Sequence, residues 1–357
     1  DGDFLELLTL GTGFAVVTEQ SISLYDFQSG ELTGRILLGG YGPSASVVAS
    51  PDGATIATYG SDNLVTLWDG RTGLHRETIR GHDNLVYGVS FNQRGQVASG
   101  GRDMTVRVTE PSDFEPSLPL TGHDDWIWSV AFSPSGSIVA SACADSNIIL
   151  WDAATGRELH RLSQHSESVQ FLAFSPTDNL LASASRDDTI KLWNTETREP
   201  IGECIGHSGD VNSLDFSEDG KRLVSGSDDG SVIVWDVGKR EPISRYEDPE
   251  GRFWAVAFGD DSSVAFGGTQ GELLTWKYDD ADAPQTLFTG EHNITSLRFS
   301  QDKETLAMTT GDGAIALFDY RRKTLISRPK GHTSDAMFTS FSSDGRTIVS
   351  AGSDGFI

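Results

Sequence analysis

The chain holds 357 residues, and its 27 basic against 52 acidic side chains leave a formal net charge of −25. That balance opposes direct binding to nucleic acid, which depends on releasing counterions to Lys and Arg, and it favours solubility and neutral or basic partners. Two cysteines, Cys143 and Cys204, are too few for a disulfide framework or a zinc cluster and suit a reducing, cytoplasmic setting; no apolar run reaches the ~18 residues needed to span a bilayer.

The N-terminus has no basic region followed by an apolar stretch, so no signal peptide is expected. Without an initial Met, the sequence reads as starting inside a longer chain. Gly11-Thr12-Gly13 opens like a dinucleotide loop, but no helical pattern follows, and it reads as a hairpin turn.

One phrase then recurs along the chain: an apolar strand ending in an aromatic residue, usually followed by Asp. It stands at Tyr25, Trp68, Trp151, Trp193, Trp235, Trp276 and Phe318, with Thr109 where one aromatic is missing. The series 25, 68, 109, 151, 193, 235, 276, 318 has steps of 43, 41, 42, 42, 42, 41 and 42. A period near 40–45 is the mark of a repeat architecture.

Each unit reads as four short strands. Around Trp193 they are 169–176, 180–185, 189–194 and 200–207, rich in β-branched and aromatic residues and parted by Gly, Asp, Ser and Pro. No segment holds a helical period. The ninth unit supplies Ala336–Phe341 and Thr347–Ala351, and Gly355-Phe356-Ile357 reads as its third strand beginning. A missing strand would leave an exposed edge, so extension past 357 is expected to raise the melting temperature.

Three middle units carry His, Ser, Asp and Trp at fixed offsets: His123, Ser141, Asp145, Trp151; His165, Ser183, Asp187, Trp193; His207, Ser225, Asp229, Trp235. A Ser, a His and an Asp suggest a hydrolase triad. A catalytic set occurs once, whereas this one recurs every 42 residues, so a structural network is the better reading. A buried indole N–H needs an acceptor, and a buried Ser or His needs a partner. No Walker loop, HExxH or GxSxG occurs. Asp228-Asp229-Gly230 and Asp260-Asp261 lack the alternating ligands and distal Glu of a calcium loop and read as solvated turns. Catalytic residues, metal ligands and cofactors are therefore all expected to be absent.

These units, with Gly-His pairs at Gly81-His82, Gly122-His123, Gly206-His207 and Gly331-His332, closely resemble the WD-repeat (WD40) family over essentially the whole chain. The resemblance implies an all-β fold, a β-propeller of four-stranded antiparallel blades, seven or eight in number, standing alone or as part of a tandem propeller array. Residues 1–290 would form about seven repeats. Residues 291–357 would either close an eight-bladed ring or start a second propeller. The family links the four side chains of each set by hydrogen bonds. Other units depart from the pattern: the Trp68 unit has Thr58 for Ser, the Trp276 unit has Phe266 and Gln270 for Ser and Asp, and the Phe318 unit has Met308 for Ser. The middle three blades are accordingly expected to be the most rigid.

The resemblance also implies a partner-binding rim with three positions per blade. Two flank the residue that begins the innermost strand, and one precedes the tight-turn Asp. Carried over by motif, the notable members are Tyr87, Arg102, Trp126, Trp128, Arg186, Asp210, Asp228, Arg252 and Trp254. Trp, Tyr and Arg are the residue types that dominate interface hot spots; against this, the rings could simply plug the channel mouth. The implied role is a non-catalytic platform for a protein or peptide, as scaffold or sensor in a larger chain or complex, with no membrane or nucleic-acid partner. The alternatives are the sensor region of a signal-transduction ATPase and, further off, a propeller hydrolase. The arginines suit an acidic or aromatic ligand segment, and Asp210 and Asp228 a basic end.

Overall fold

A computed structural model describes residues 48–326, apart from 61, 70–73, 111–118, 260–261, 280–281 and 301. It also describes the backbone alone of 46–47, 327 and the strands Phe4–Leu10, Gly13–Thr18, Ser21–Asp26, Leu32–Leu37, Ala336–Phe341 and Ile348–Gly352. Gly331-His332, Asp260-Asp261, Gly11-Thr12 and Gly355-Phe356-Ile357 lie outside the described residues.

Every regular element among the described residues is a β-strand. Among the described residues no helix is long and apolar enough to cross a membrane. The strands make eight four-stranded sheets and one two-stranded sheet, and strands adjacent in sequence are adjacent in each sheet. All recorded pairings are antiparallel, as short hairpin turns require. The Trp193 blade consists of Val169–Phe174, Leu180–Ser185, Ile190–Asn194 and Glu199–Cys204, within two or three residues of the sequence expectation at each end. Trp68, Trp151, Trp193, Trp235, Trp276, Phe318 and Tyr25 each stand next to last in a third strand. The ninth unit forms the pair Ala336–Phe341 and Ile348–Gly352.

The chain divides into two compact units, Asp1–Val97 with Thr109–Ser117 and Thr295–Ile357, and Ala98–Val108 with Leu118–Ile294. In the second unit, the first strand of each blade lies against the first strand of the next, from Ile127–Phe132 through Val169–Phe174 and Val211–Phe216 to Phe253–Phe258. In the first unit Ala336–Phe341 packs against both Thr305–Thr310 and Ser46–Ala49. The core lies between blades. Leu180, Ile190, Leu192 and Cys204 of the Trp193 blade pack with Val211, Leu214, Phe216 and Trp235 of the blade that follows.

The burial pattern explains why these strands pair as they do. Second and third strands are covered on both faces: Leu180–Ser185 is wholly buried, and only the last residue of Ile190–Asn194 is not. Continuous apolar or small residues there fit a strand buried on both sides. Fourth strands are largely exposed or half-buried, as in Glu241–Glu247, and charged residues at such an edge discourage pairing with other chains.

The turn between second and third strands holds one residue in the left-handed region in each of seven blades: Asn63, Met104, Ser146, Asp188, Gly230, Gly271 and Gly313, at φ from 63° to 82°. L-residues other than glycine pay roughly 1–2 kcal/mol there. At Gly230 a side chain would also run into the carbonyl oxygen of Asp248. Ser146→Gly is expected to stabilise the protein by up to about 1 kcal/mol, whereas Gly230→Ala should destabilise it by more than that; thermal unfolding followed by circular dichroism distinguishes the two directions.

Candidate functional site

The three tetrads form as hydrogen-bonded chains. In the Trp151 blade the indole Nε1–H donates to Ser141 Oγ at 2.8 Å, Ser141 Oγ lies 2.8 Å from His123 Nε2, and His123 Nδ1 lies 2.9 Å from Asp145 Oδ2. The corresponding distances are 2.9, 2.7 and 2.8 Å in the Trp193 blade and 2.8, 2.7 and 3.1 Å in the Trp235 blade. Each Asp carboxylate also accepts the backbone N–H that follows the His, from Asp124, Ser166 and Ser208. With the carboxylate ionised, a neutral His must donate through Nδ1, so Nε2 accepts the Ser hydroxyl proton.

Burial alone would push these carboxyls up. In Asp145 the hydrogen bonds from His123 and from the N–H groups of Asp124 and Asn147 outweigh that burial and hold it well below the usual carboxylate range. Asp187 and Asp229 are held down in the same way, with Thr189 and Ser231 hydroxyls adding to His165 and His207.

The connectivity Ser–His–Asp is that of a catalytic triad, but its surroundings are not. Ser141, Ser183 and Ser225 are fully buried, and each hydroxyl oxygen already receives an indole proton. A nucleophile needs an open approach to its oxygen; here that approach is filled by the Trp of the third strand.

His123, Cys143 and Asp145 bring potential metal-ligand atoms within 4.8 Å of one another. The neighbouring blades show what Cys143 does there. Its Sγ donates to Asp125 O at 3.1 Å and accepts from Asp145 N at 3.3 Å. Ser185 makes the same bonds to Glu167 O and from Asp187 N, and Ser227 to Gly209 O and from Asp229 N. Cys143 thus fills a serine slot. Burial pushes its thiol far above the ordinary range and that of Cys204 up to about 12, away from the thiolate a metal would need.

Where the tetrad is broken, other packing replaces it. Thr58 accepts the Trp68 indole proton at 3.0 Å in place of Ser. In the Trp276 blade, Phe266 is fully buried and meets Tyr246 and Phe253 at ring distances of 5.2 Å, with Tyr246 reaching Trp276 at 6.4 Å. An aromatic cluster stands where the sequence pattern has a polar chain. In the Phe318 blade, Met308 and Phe318 are both 1% exposed.

The rim positions share one local geometry, which sequence reasoning did not find. The pairing register jumps between Ile127 and Ser129, Val169 and Phe171, Val211 and Ser213, and Phe253 and Ala255. Trp128, Gln170, Asn212 and Trp254 are therefore the extra residues of β-bulges, which re-aim a side chain. The signal was present in the apolar spacing. Ile127, Val130 and Phe132 are buried, a step of three and then two instead of strict alternation, and Val86, Val89 and Phe91 repeat it around Tyr87. The residue before each strand is tied to the third rim position. Trp126 O accepts from Ala144 N at 2.8 Å, Ser168 O from Arg186 N at 3.0 Å, Asp210 O from Asp228 N at 3.0 Å and Arg252 O from Thr269 N at 3.0 Å.

Within the second unit the rim side chains gather into two groups. The Arg102 guanidinium lies 4.2 Å over the Trp126 ring, and Trp126 meets Trp128 edge to face at 5.7 Å. In the other group Asp228 Oδ1 accepts from Asn212 Nδ2 at 2.8 Å and Trp254 Nε1 at 3.0 Å, and its Oδ2 lies 3.4 Å from Arg252 Nη1. Arg186 Nε pairs with Asp210 Oδ2 at 3.5 Å. Asp210 and Asp228, expected to meet a basic ligand, are thus engaged by this chain's own donors. Tyr87 lies half-buried in the first unit.

A serial array of four-stranded antiparallel sheets, three of them locked through Trp, Ser, His and Asp, defines a β-propeller repeat protein. The chain belongs to the WD-repeat family: the profile described as "WD domain, G-beta repeat" matches residues 73–109, 114–152, 156–194, 198–236, 283–319 and 323–357, more than half of its length. It is 33% identical over 129 residues to nuclear distribution protein PAC1 of Arthroderma benhamiae, covering 33% of this chain and 28% of that protein. It is also 31% identical over 114 residues to nuclear distribution protein nudF of Aspergillus flavus, covering 31% of this chain and 25% of that protein. Protein transport protein SEC13 of Chaetomium globosum matches at 33% over 106 residues, 26% of this chain and 37% of that protein. The matched region thus spans between a quarter and two fifths of these relatives. Among solved structures, the computationally designed Ika8 protein aligns with a TM-score of 0.76 at 27% identity, over 88% of this chain and 96% of that one.

Two outcomes follow from the tetrads. Trp193→Ala removes a large side chain 1% exposed and should cost ~3–5 kcal/mol in urea unfolding. The depressed carboxyls bind fewer protons folded than unfolded, so their contribution is complete above the unfolded value near 4 and is lost as pH falls below it. The urea midpoint should therefore drop between about pH 5 and pH 2, and Asp187→Asn should flatten that dependence.

Proposed function

We propose that this chain is a non-catalytic protein-interaction platform that receives a partner's peptide segment at its rim, as scaffold or sensor in a larger assembly. The observation that carries the reading is the bulge geometry. In four successive blades one side chain is set apart from the core alternation, and these positions include Trp128 and Trp254, with Trp126 and Arg102 beside Trp128. Half-buried aromatics and arginines already held by neighbours lose little freedom when a partner settles on them. Membership of the WD-repeat family and the likeness to nuclear distribution and protein transport proteins support an assembly role.

The buried, indole-bonded serines support a non-enzymatic reading, and the two buried free thiols suit a cytoplasmic setting. The packing of Ala336–Phe341 between Thr305–Thr310 and Ser46–Ala49 supports the eight-bladed alternative for residues 291–357 over a second propeller.

Trp128→Ala should weaken partner capture by ~2 kcal/mol, about thirtyfold, without lowering the melting temperature. Quantitative mass spectrometry of proteins retained by the wild-type and variant chains measures this. Retention unchanged in both Trp128→Ala and Trp254→Ala would place the interface on another face.

A further inference from the structure

We propose that the corner formed by Arg102, Trp126 and Trp128 is a receptor for a peptide carboxylate, that of an Asp or Glu side chain standing next to an aromatic residue. This deepens the rim reading above and rests on it.

Three arginines occupy rim positions in the second unit, and they are not equivalent. Arg186 is paired with Asp210, and Arg252 with Asp228. Arg102 has no carboxylate partner among the described residues; its guanidinium carbon instead lies 4.2 Å from the centroid of the Trp126 ring. A guanidinium held over an aromatic face by cation–π attraction still has N–H donors to offer a carboxylate. Those donors form the fork that matches a carboxylate with two parallel hydrogen bonds. The indole beneath fixes the fork's orientation and reduces the freedom lost on binding.

The rest of the rim makes this corner distinct. The chain carries a net charge of −25, so an anion is repelled from most of the surface. In the Trp193 blade, Asp188 sits in the turn between the second and third strands with its carboxyl raised by burial and by Asp210, Asp187 and Asp229. That group of carboxylates repels a second anion. The edge-to-face contact of Trp126 with Trp128 supplies an apolar wall beside the fork, suited to a neighbouring ring. A single guanidinium balances a singly charged carboxylate; a phosphate near −2 calls for a cluster of cations, and no other rim cation in this unit lacks a carboxylate.

The test begins with selection of linear 12-residue peptides from a displayed library against the full chain. Labelled copies are then titrated by fluorescence anisotropy. The selected peptides should share an Asp or Glu beside an aromatic residue, and changing that acid to its amide should weaken binding at least tenfold. Arg102→Gln should cause the same loss and erase the difference between acid and amide peptides. Arg102→Lys should recover little, because an ammonium lacks the planar fork, and Arg186→Gln should stay within about threefold. The amide peptides test the inference on the unaltered protein, so a folding defect in Arg102→Gln cannot mimic success.

Selected peptides without a shared acid, or acid peptides indifferent to Arg102→Gln, overturn the proposal. So does a phosphoserine peptide binding more than tenfold tighter than its Glu counterpart. If those peptides still depend on Trp128, the rim reading stands and only the carboxylate receptor falls. If no peptide is selected, or none depends on Trp128 or Trp254, both fall.

Discussion

A buried indole N–H that must find an acceptor organises each regular blade. Trp151, Trp193 and Trp235 are at most 2% exposed, and leaving such a donor unmet would cost about 1–3 kcal/mol. Ser on the second strand accepts it, His ahead of the first strand binds the Ser, and Asp in the hairpin turn holds the His. Each partner comes from a different segment, so one chain of bonds aligns three strands and the turn. The depressed carboxyls belong to that device, and a charge stabilised for strand alignment is a different thing from one poised for proton transfer.

The Trp276 blade shows that the constraint concerns the space and not the particular atoms. With Phe266 in the Ser position, the same volume fills with rings, and Tyr246 is drawn in from the fourth strand of the blade before. The family profile does not reach residues 237–282, although the strands there have the same order. Hydrogen bonding and aromatic packing are interchangeable solutions to one burial problem, and a pattern built on the first passes over the second.

That difference explains what was legible in the amino-acid order. The period of 42 and the third-strand aromatics revealed the blades because they are local and repeated. The tetrads were legible for the same reason. The bulge at Trp128, Gln170, Asn212 and Trp254 escaped because its trace is a one-residue break in alternation at Ile127, Val130 and Phe132, easily read as an irregular strand. The pairing of Arg186 with Asp210 and of Arg252 with Asp228 escaped because each partner lies on another blade, a distance in sequence that no local pattern encodes. Charges that looked available were already neutralised, while Arg102 was resting on an indole.

The bulge also separates two kinds of inheritance. A residue added outside the alternation of its strand can change without moving Ile127, Val130 or Phe132 in the core. The sequence already samples that freedom, with Trp, Gln, Asn and Trp at the same place in four successive blades. Such positions behave as an alphabet written on a fixed page. Randomising them together would yield a combinatorial library of surfaces on one scaffold, and evolution can traverse the same space by single substitutions.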